Sequence, residues 1–354
     1  INKGQTFKNF MNMKFNAIVG NPPYQLTGGS GGNNDAPIYQ HFCHIASKLT
    51  DKYVTLIMPA RWFAAGRENL LGDFRTEMLK GEHLKKLVVF PDGGDVFQNV
   101  EIKGGICYYL EDNQYSGLCK YVLYRDGLAH SSMRKLDTFD ILIREPQLYD
   151  IVVKVEEKRK TDNMDVVETI ISADTPFGIP SNPRTSSKTP FKVYTDKTNA
   201  HNVLLYHIED QKRKIEYVSQ EDIHKNAQDV EKYKVFIPGA GGSGNDAKVL
   251  GTPIAAPKNS VCSQSFLYAA FETEKEATNF MKYLLTKFFR ILVSSLKITQ
   301  SAPSRVYRFV PLQDFTSKSD WSLSIADIDH QLYTKYHLSS DEIAFIEKMI
   351  RPME

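Results

Sequence analysis

Chemistry is first legible in the run Asn21-Pro22-Pro23-Tyr24. It follows Phe15-Asn16-Ala17-Ile18-Val19-Gly20, a short apolar stretch ending in glycine, which suits a strand buried on both faces. Two successive prolines fix an extended turn and remove two N–H donors. The turn is left presenting acceptors: the Asn21 side-chain oxygen and the Pro22 carbonyl. Acceptors converging on one point suit an exocyclic amino group that must be held and made more nucleophilic. Tyr24 adds a flat face for a base rotated out of its stack. The plainer alternative is a simple Pro-Pro turn after a strand.

Two further runs imitate active sites. Pro91-Asp92 followed by Glu101-Ile102-Lys103 has the pattern of metal-dependent nucleases, in which two carboxylates and a lysine hold Mg²⁺ and orient water. Gly93-Gly94, however, reads as the loop between two strands of a sheet, so Asp92, Glu101 and Lys103 stand as the alternative rather than the expectation. Val235-Phe236-Ile237-Pro238 leads into Gly239-Ala240-Gly241-Gly242-Ser243-Gly244, a strand before a Gly-rich turn. Such a turn cradles a ligand when it opens a helix. Here Gly251, Pro253 and Pro257 follow, so a flexible loop is expected.

The elements around the first run alternate. A helix after Pro37 places Ile38, Phe42, Ile45 and Leu49 on one face, and Tyr53–Met58 is a buried strand. Leu70, Phe74 and Met78 mark a second helix, with strands over Leu84–Phe90 and Ile102–Leu110. Strands separated by helices of this length predict a mostly parallel α/β sheet. Residues 130–170 read as charged and helical. From Thr175 to about Leu312 the chain is rich in Pro, Gly, Ser and Thr, with strand-like runs at Phe191–Tyr194, Val203–Ile208 and Lys234–Ile237. One long helix interrupts it, with Phe280, Leu284, Phe288, Ile291 and Leu292 inward and Lys282 and Arg290 outward. A capping box at Ser339–Glu342 starts a last helix.

The tetrapeptide after its strand resembles the catalytic motif of amino-methylating DNA methyltransferases, in the NPPY form typical of adenine-N6 enzymes. The likeness extends to the Gly28–Asn34 loop, the helix from Pro37, the strand ending Pro59-Ala60-Arg61-Trp62-Phe63 and the tail Leu332–Ile350. Together these look like the large type IIG proteins that fuse methylation and restriction on one chain. The resemblance implies transfer of a methyl group from S-adenosylmethionine to a flipped adenine, with no covalent enzyme intermediate. It implies that Asn21 and Pro22 hold the amino group, that Pro23 shapes the loop, and that Asn21 also meets the cofactor. Tyr24 would stack on the adenine, and Phe97 would close its other face.

In such enzymes the cofactor loop and its acidic partner precede this motif. The roughly 20 residues before Asn21 are too few for three strands and their helices. The expected fold is therefore α/β: the second half of a class I, Rossmann-like methyltransferase sheet over residues 1–130, a helical connector over 131–172, a β-rich α+β target-recognition domain over 173–325, and a C-terminal helical segment over 326–354. The strand at Phe15–Val19 should then lose a neighbour and present a bare apolar edge. An upstream methyltransferase half, on a longer chain or as a separate piece, is the expected partner besides double-stranded DNA. Alone, the chain should bind S-adenosylmethionine weakly or not at all.

A net charge of +2 is too small for binding nucleic acid by bulk charge, so contacts must come from patches. Two stretches without acidic residues qualify. One holds Arg184, Lys188 and Lys192; the other holds Lys282, Lys287, Arg290, Lys297, Arg305 and Arg308, with Gln300 among them. Lys and Arg set in Ser, Thr, Gln and Asn provide what phosphates and base edges need. A specificity module without activity of its own is the rival reading. The scattered Cys43, Cys107, Cys119 and Cys262 have no metal-ligand spacing and suit buried thiols in a reducing cytoplasm. No apolar run approaches the roughly 20 residues needed to span a bilayer.

Overall fold

The computed structural model describes residues 14–26, 36–63, 68–98, 102, 104–125, 127–185, 191–241, 247–297, 300–316 and 320–353. The chain divides into two compact units, Ile1–Pro146 and Gln147–Glu354.

The first unit is built on a mixed sheet. Its elements are β1 (Phe15–Gly20), the short β2 (Gln25–Leu26) and β3 (Ala36–Pro37), helix α1 (Tyr39–Leu49), β4 (Thr50–Pro59), α2 (Glu68–Lys80), β5 (Leu84–Phe90), β6 (Ile106–Asp112), β7 (Cys119–Arg125) and β8 (Leu128–Arg134). The six long strands lie in the order β1-β4-β6-β5-β7-β8. β1 runs parallel to β4 and β5 parallel to β7, whereas β6 is antiparallel to both β4 and β5. Alternation drives the pairing: Val54, Leu56 and Met58 of β4 are buried, as are Leu87 and Val89 of β5 and Cys107 and Tyr109 of β6.

Two expectations change here. The strand at Phe15–Val19 is not buried on both faces, because β4 is its one neighbour among the described residues. Val19 is 77% exposed and Phe15 is exposed as well. Helix α1 is also turned from its expected face. Tyr39, Cys43, Ala46 and Leu49 are buried, while Phe42 and Ile45 are 39% and 47% exposed. Small residues at Cys43 and Ala46 let the helix approach the sheet closely, and that contact outweighs the larger apolar stripe beside it.

The helical connector is shorter than 131–172. Residues 128–134 form β8, and helix α3 spans Pro146–Thr161. It opens the second unit, which continues with β9 (Val203–Glu209), β10 (Lys212–Val218), β11 (Tyr233–Pro238), β12 (Ile254–Ala256), β13 (Ser260–Cys262), β14 (Phe266–Phe271) and helices α4 (Glu274–Leu285), α5 (Lys287–Ser294), α6 (Ile325–Lys335) and α7 (Ser340–Met349). Two three-stranded sheets result, β10-β9-β13 and β12-β11-β14. Phe191–Tyr194 contributes only an isolated bridge between Tyr194 and Tyr217.

The single long helix expected near 280–292 is two helices, broken at Thr286. The Thr286 hydroxyl donates to the Tyr283 carbonyl at 2.6 Å and accepts the Phe289 N–H at 3.1 Å, ending one helix and capping the next. Buried Asp329, from α6, accepts the Lys287 and Phe288 N–H groups at 2.9 and 2.8 Å. These amides are the orphan donors of a helix start, and a carboxylate suits them.

Burial lifts the Asp329 carboxyl from 3.8 to about 6, against the pull of the two amides and of Arg290. A carboxyl whose folded pKa is raised contributes stability that is complete below its unfolded pKa and lost as pH rises through the folded one. Urea unfolding of wild type and Asp329→Asn should therefore show wild type gaining on the variant as pH falls from 7 to 4.5. A stability difference that stays constant with pH would contradict this.

Candidate active site and nucleic-acid interface

Parallel pairing places the Asn21–Tyr24 loop at the carboxyl end of β1, where open α/β sheets receive ligands. Gly20 faces Leu56 of β4 so closely that a Cβ on it would lie 3.3 Å from Leu56 Cδ2. Beyond it Asn21 and Pro23 are exposed, Pro22 is buried and Tyr24 is half-buried. The Tyr24 carbonyl accepts the Ile38 N–H at 3.1 Å, and β2 pairs with β3, so the loop is tied back to the start of α1. Its conformation is thus fixed from both sides while the Asn21 side chain stays open to solvent.

Burial pushes the Tyr24 phenol up to about 12, helped by the neighbouring Cys107 thiol and tempered by the Asn21 side chain. Tyr24 Oη makes no hydrogen bond of good geometry among the described residues. The ring is therefore neutral at physiological pH. Burial likewise raises Cys107 to about 12, so this thiol is a packing group rather than a nucleophile.

Phe97 lies half-buried in the turn after β5. Its N–H donates to the Gly93 carbonyl at 2.9 Å, and Asp92 Oδ1 accepts the Gly94 N–H at 2.8 Å. Asp92 thus serves as the cap of this turn; its two partners in the nuclease pattern, Glu101 and Lys103, lie outside the described residues, as does the Gly28–Asn34 loop. The far end of the same connection is held more tightly. Gly105 has φ +79°, and a Cβ there would lie 2.3 Å from the Phe90 carbonyl oxygen, so only glycine fits. Arg144 Nη2 donates to the Gly104 carbonyl at 2.9 Å. Sequence reading passed over Arg144, since a lone arginine beyond the last strand carries no spacing signal.

The basic residues of the second unit divide sharply. Arg290 is 0% exposed, and its guanidinium donates to the carbonyls of Thr286, Leu285, Lys248 and Arg351. It does not point away from the apolar face, as expected, but cross-links backbone inside the fold. Lys297 is buried and donates to the Gly241 carbonyl at 2.6 Å, and half-buried Lys282 donates to the Trp321 and Leu323 carbonyls. These three cations are committed to internal acceptors. Arg184 forms a two-pronged pair with Glu216, both contacts at 2.8 Å. Gln300 is exposed, Arg305 and Arg308 are half-buried around a short turn at Ser304–Tyr307, and Lys188 lies outside the described residues.

Among the described residues on either side of the Gly-rich turn, 239–241 and 247–253, no helix begins. Gly241 N donates to the Gln300 carbonyl at 3.0 Å, and a Cβ on Gly241 would lie 2.4 Å from Gly251 N. Its glycines allow backbone to meet backbone; residues 242–244 lie outside the described part. The four cysteines are buried and free. Among the described residues no group of three or more His, Cys, Asp or Glu could hold a metal, and no helix is long and apolar enough to cross a membrane.

Residues 1–97 match the Eco57I restriction-modification methylase family. An uncharacterized adenine-specific methylase of Mycoplasma pneumoniae is 44% identical over 161 residues, covering 42% of this chain and 38% of that protein. Among solved structures, the type IIG restriction endonuclease BpuSI aligns over 97% of this chain and 53% of its own, at 12% identity and a TM-score of 0.37. The type IIL restriction-modification enzyme MmeI, in complex with DNA, aligns over 95% and 52%, at 9% identity and a TM-score of 0.44. The chain thus spans 38% of the length of its curated relative and about half of each structure. The part that resembles the restriction-modification methylase family, residues 1–97, includes the Asn21–Tyr24 loop that closes β1.

Proposed function

We propose that the chain is the catalytic-loop half, together with the DNA-reading part, of a site-specific adenine-N6 DNA methyltransferase in a restriction–modification protein. One observation carries this reading: a rigidly tied Asn-Pro-Pro-Tyr loop at the carboxyl end of a parallel strand pair, with Asn21 exposed and a neutral aromatic ring beside it. Asn21 Oδ1 and the Pro22 carbonyl accept the two hydrogens of the target amino group, turning the N6 lone pair outward. Pro23 keeps the backbone extended. The rings of Tyr24 and Phe97 hold the extruded base by its two faces.

Bound S-adenosylmethionine would supply an electrophilic methyl group to the N6 lone pair that Asn21 and the Pro22 carbonyl orient. The exposed amide of Asn21, with both a donor and an acceptor, suits contact with this cofactor. Exposed Val19 and Phe15 on β1, with Phe42 and Ile45 exposed on α1, leave apolar surface on this part of the unit that a further part of a methyltransferase could cover. In this reading the first unit, through Pro146, is catalytic, α3 leads into the second unit, 173–325 recognise DNA and 326–354 close the chain.

DNA contact falls to Gln300, Arg305 and Arg308, with Arg184 held nearer the bases and Lys188 in the same stretch. Arg290, Lys282 and Lys297 serve the fold instead.

Expression of the full-length protein in a methylation-free host should place N6-methyladenine in its DNA, read by digestion to nucleosides and mass analysis. DNA without any methylated adenine would sink the enzyme reading. In titrations of duplex DNA at several salt concentrations, Arg305→Ala with Arg308→Ala should weaken binding and lower the log–log salt slope by roughly 2, about 0.9 per lost phosphate contact. An unchanged slope would remove these arginines from the interface.

A further inference from the structure

One cleft of the second unit is built more carefully than a solvated surface requires. It has a volume of about 450 Å³ and is lined by Arg184, Tyr194, Thr195, Asp196, Thr198 and His201. Its walls are pinned. Tyr194 exchanges backbone hydrogen bonds with Tyr217 at 2.9 and 2.8 Å. The His201 ring stacks on the Tyr194 ring, centroids 3.5 Å apart and planes 10° from parallel. Thr198 Oγ1 accepts the His201 N–H at 3.1 Å and meets His201 Nδ1 at 3.1 Å, so the ring cannot swing away.

Arg184 is fixed from behind. Its two Nη atoms grip Glu216, Glu216 is gripped in turn by fully buried His207 at 2.7 Å, and Glu209 lies 3.6 Å from Nη1. This leaves the Nε–H edge of Arg184 without a hydrogen bond among the described residues. Asp196 is exposed, with the Thr195 hydroxyl beside it at 3.3 Å.

The charge balance decides what such a cleft can take. Glu216 neutralises the Arg184 guanidinium, Glu209 is shared between Arg184 and its closer partner Lys214, and Asp196 adds a further carboxylate, so a phosphate gains little here. A neutral edge offering both acceptors and an amino donor gains more. In the major groove a G·C pair offers that combination: guanine O6 and N7 accept from arginine, and the cytosine amino group donates to a carboxylate. We infer that this cleft reads a G·C base pair of duplex DNA, with Arg184 as donor, Asp196 as acceptor, and His207 and Glu216 as positioning residues for Arg184. The inference rests on the DNA-recognition reading above and names the residues that carry it out.

Selection of duplexes from a randomised library by chain 1–354, followed by sequencing, tests it. Wild type should enrich a motif containing a G·C position. Asp196→Ala and Arg184→Lys should each lose discrimination at that same position by about 5- to 100-fold while preferences elsewhere persist. Asp196 is exposed, so its variant keeps the test valid where Arg184→Lys fails to fold. Unchanged preference at every position, or no enrichment by wild type, overturns the assignment. A position-specific loss in a protein that leaves no methylated adenine would uphold the cleft and sink the methyl-transfer reading alone.

Discussion

The parallel register of β1 on β4 is the constraint on which the first unit depends. Pairing Val19 with Thr55 and Gly20 with Leu56 ends β1 three residues before β4 ends at Pro59 and sends the next four residues over the carboxyl end of the sheet. Everything proposed for the loop follows from that placement. Pro22 is buried because the turn folds back toward α1, Asn21 is exposed because the prolines leave it no other course, and Tyr24 is held beside Cys107. A slip of one residue would exchange these faces and dissolve the arrangement. Among the described residues β4 is the one strand beside β1, so the site lies at the edge of the sheet.

In the second unit, cations act as internal fasteners. Arg290 binds four carbonyls, Lys297 one, and fully buried Lys234 reaches the carbonyls of Asp229, Val230 and Lys232. A buried charge is tolerated only when its donors are satisfied, and loop-rich backbone offers many otherwise unpaired carbonyls. This explains why a stretch rich in Lys and Arg can present little positive surface.

It also marks what could be read from the residues alone. The strands over Tyr53–Met58 and Leu84–Phe90 and the final capping box rest on local patterns, and such patterns survive folding. The inner face of α1 was not legible, because close approach through Cys43 and Ala46 is a property of the sheet beneath it. Nor was the break at Thr286, where a hydroxyl and Asp329, 43 positions later in the chain, share the capping. Charge runs misled most. Spacing cannot tell an arginine facing solvent from one facing carbonyls. The partners of Arg184 and Arg144 come from distant strands and loops, so their roles appear only in three dimensions.

The most direct test of the account is the single-turnover rate of methyl transfer to duplex DNA by the full-length protein and its Asn21→Ala variant, with DNA affinity measured alongside. If Asn21 holds the reacting amino group, the rate should fall by about 100-fold or more, on the scale of losing one preorganised polar contact to the reacting group, while affinity changes little. A variant that transfers methyl groups at the wild-type rate would contradict the assignment of chemistry to this loop.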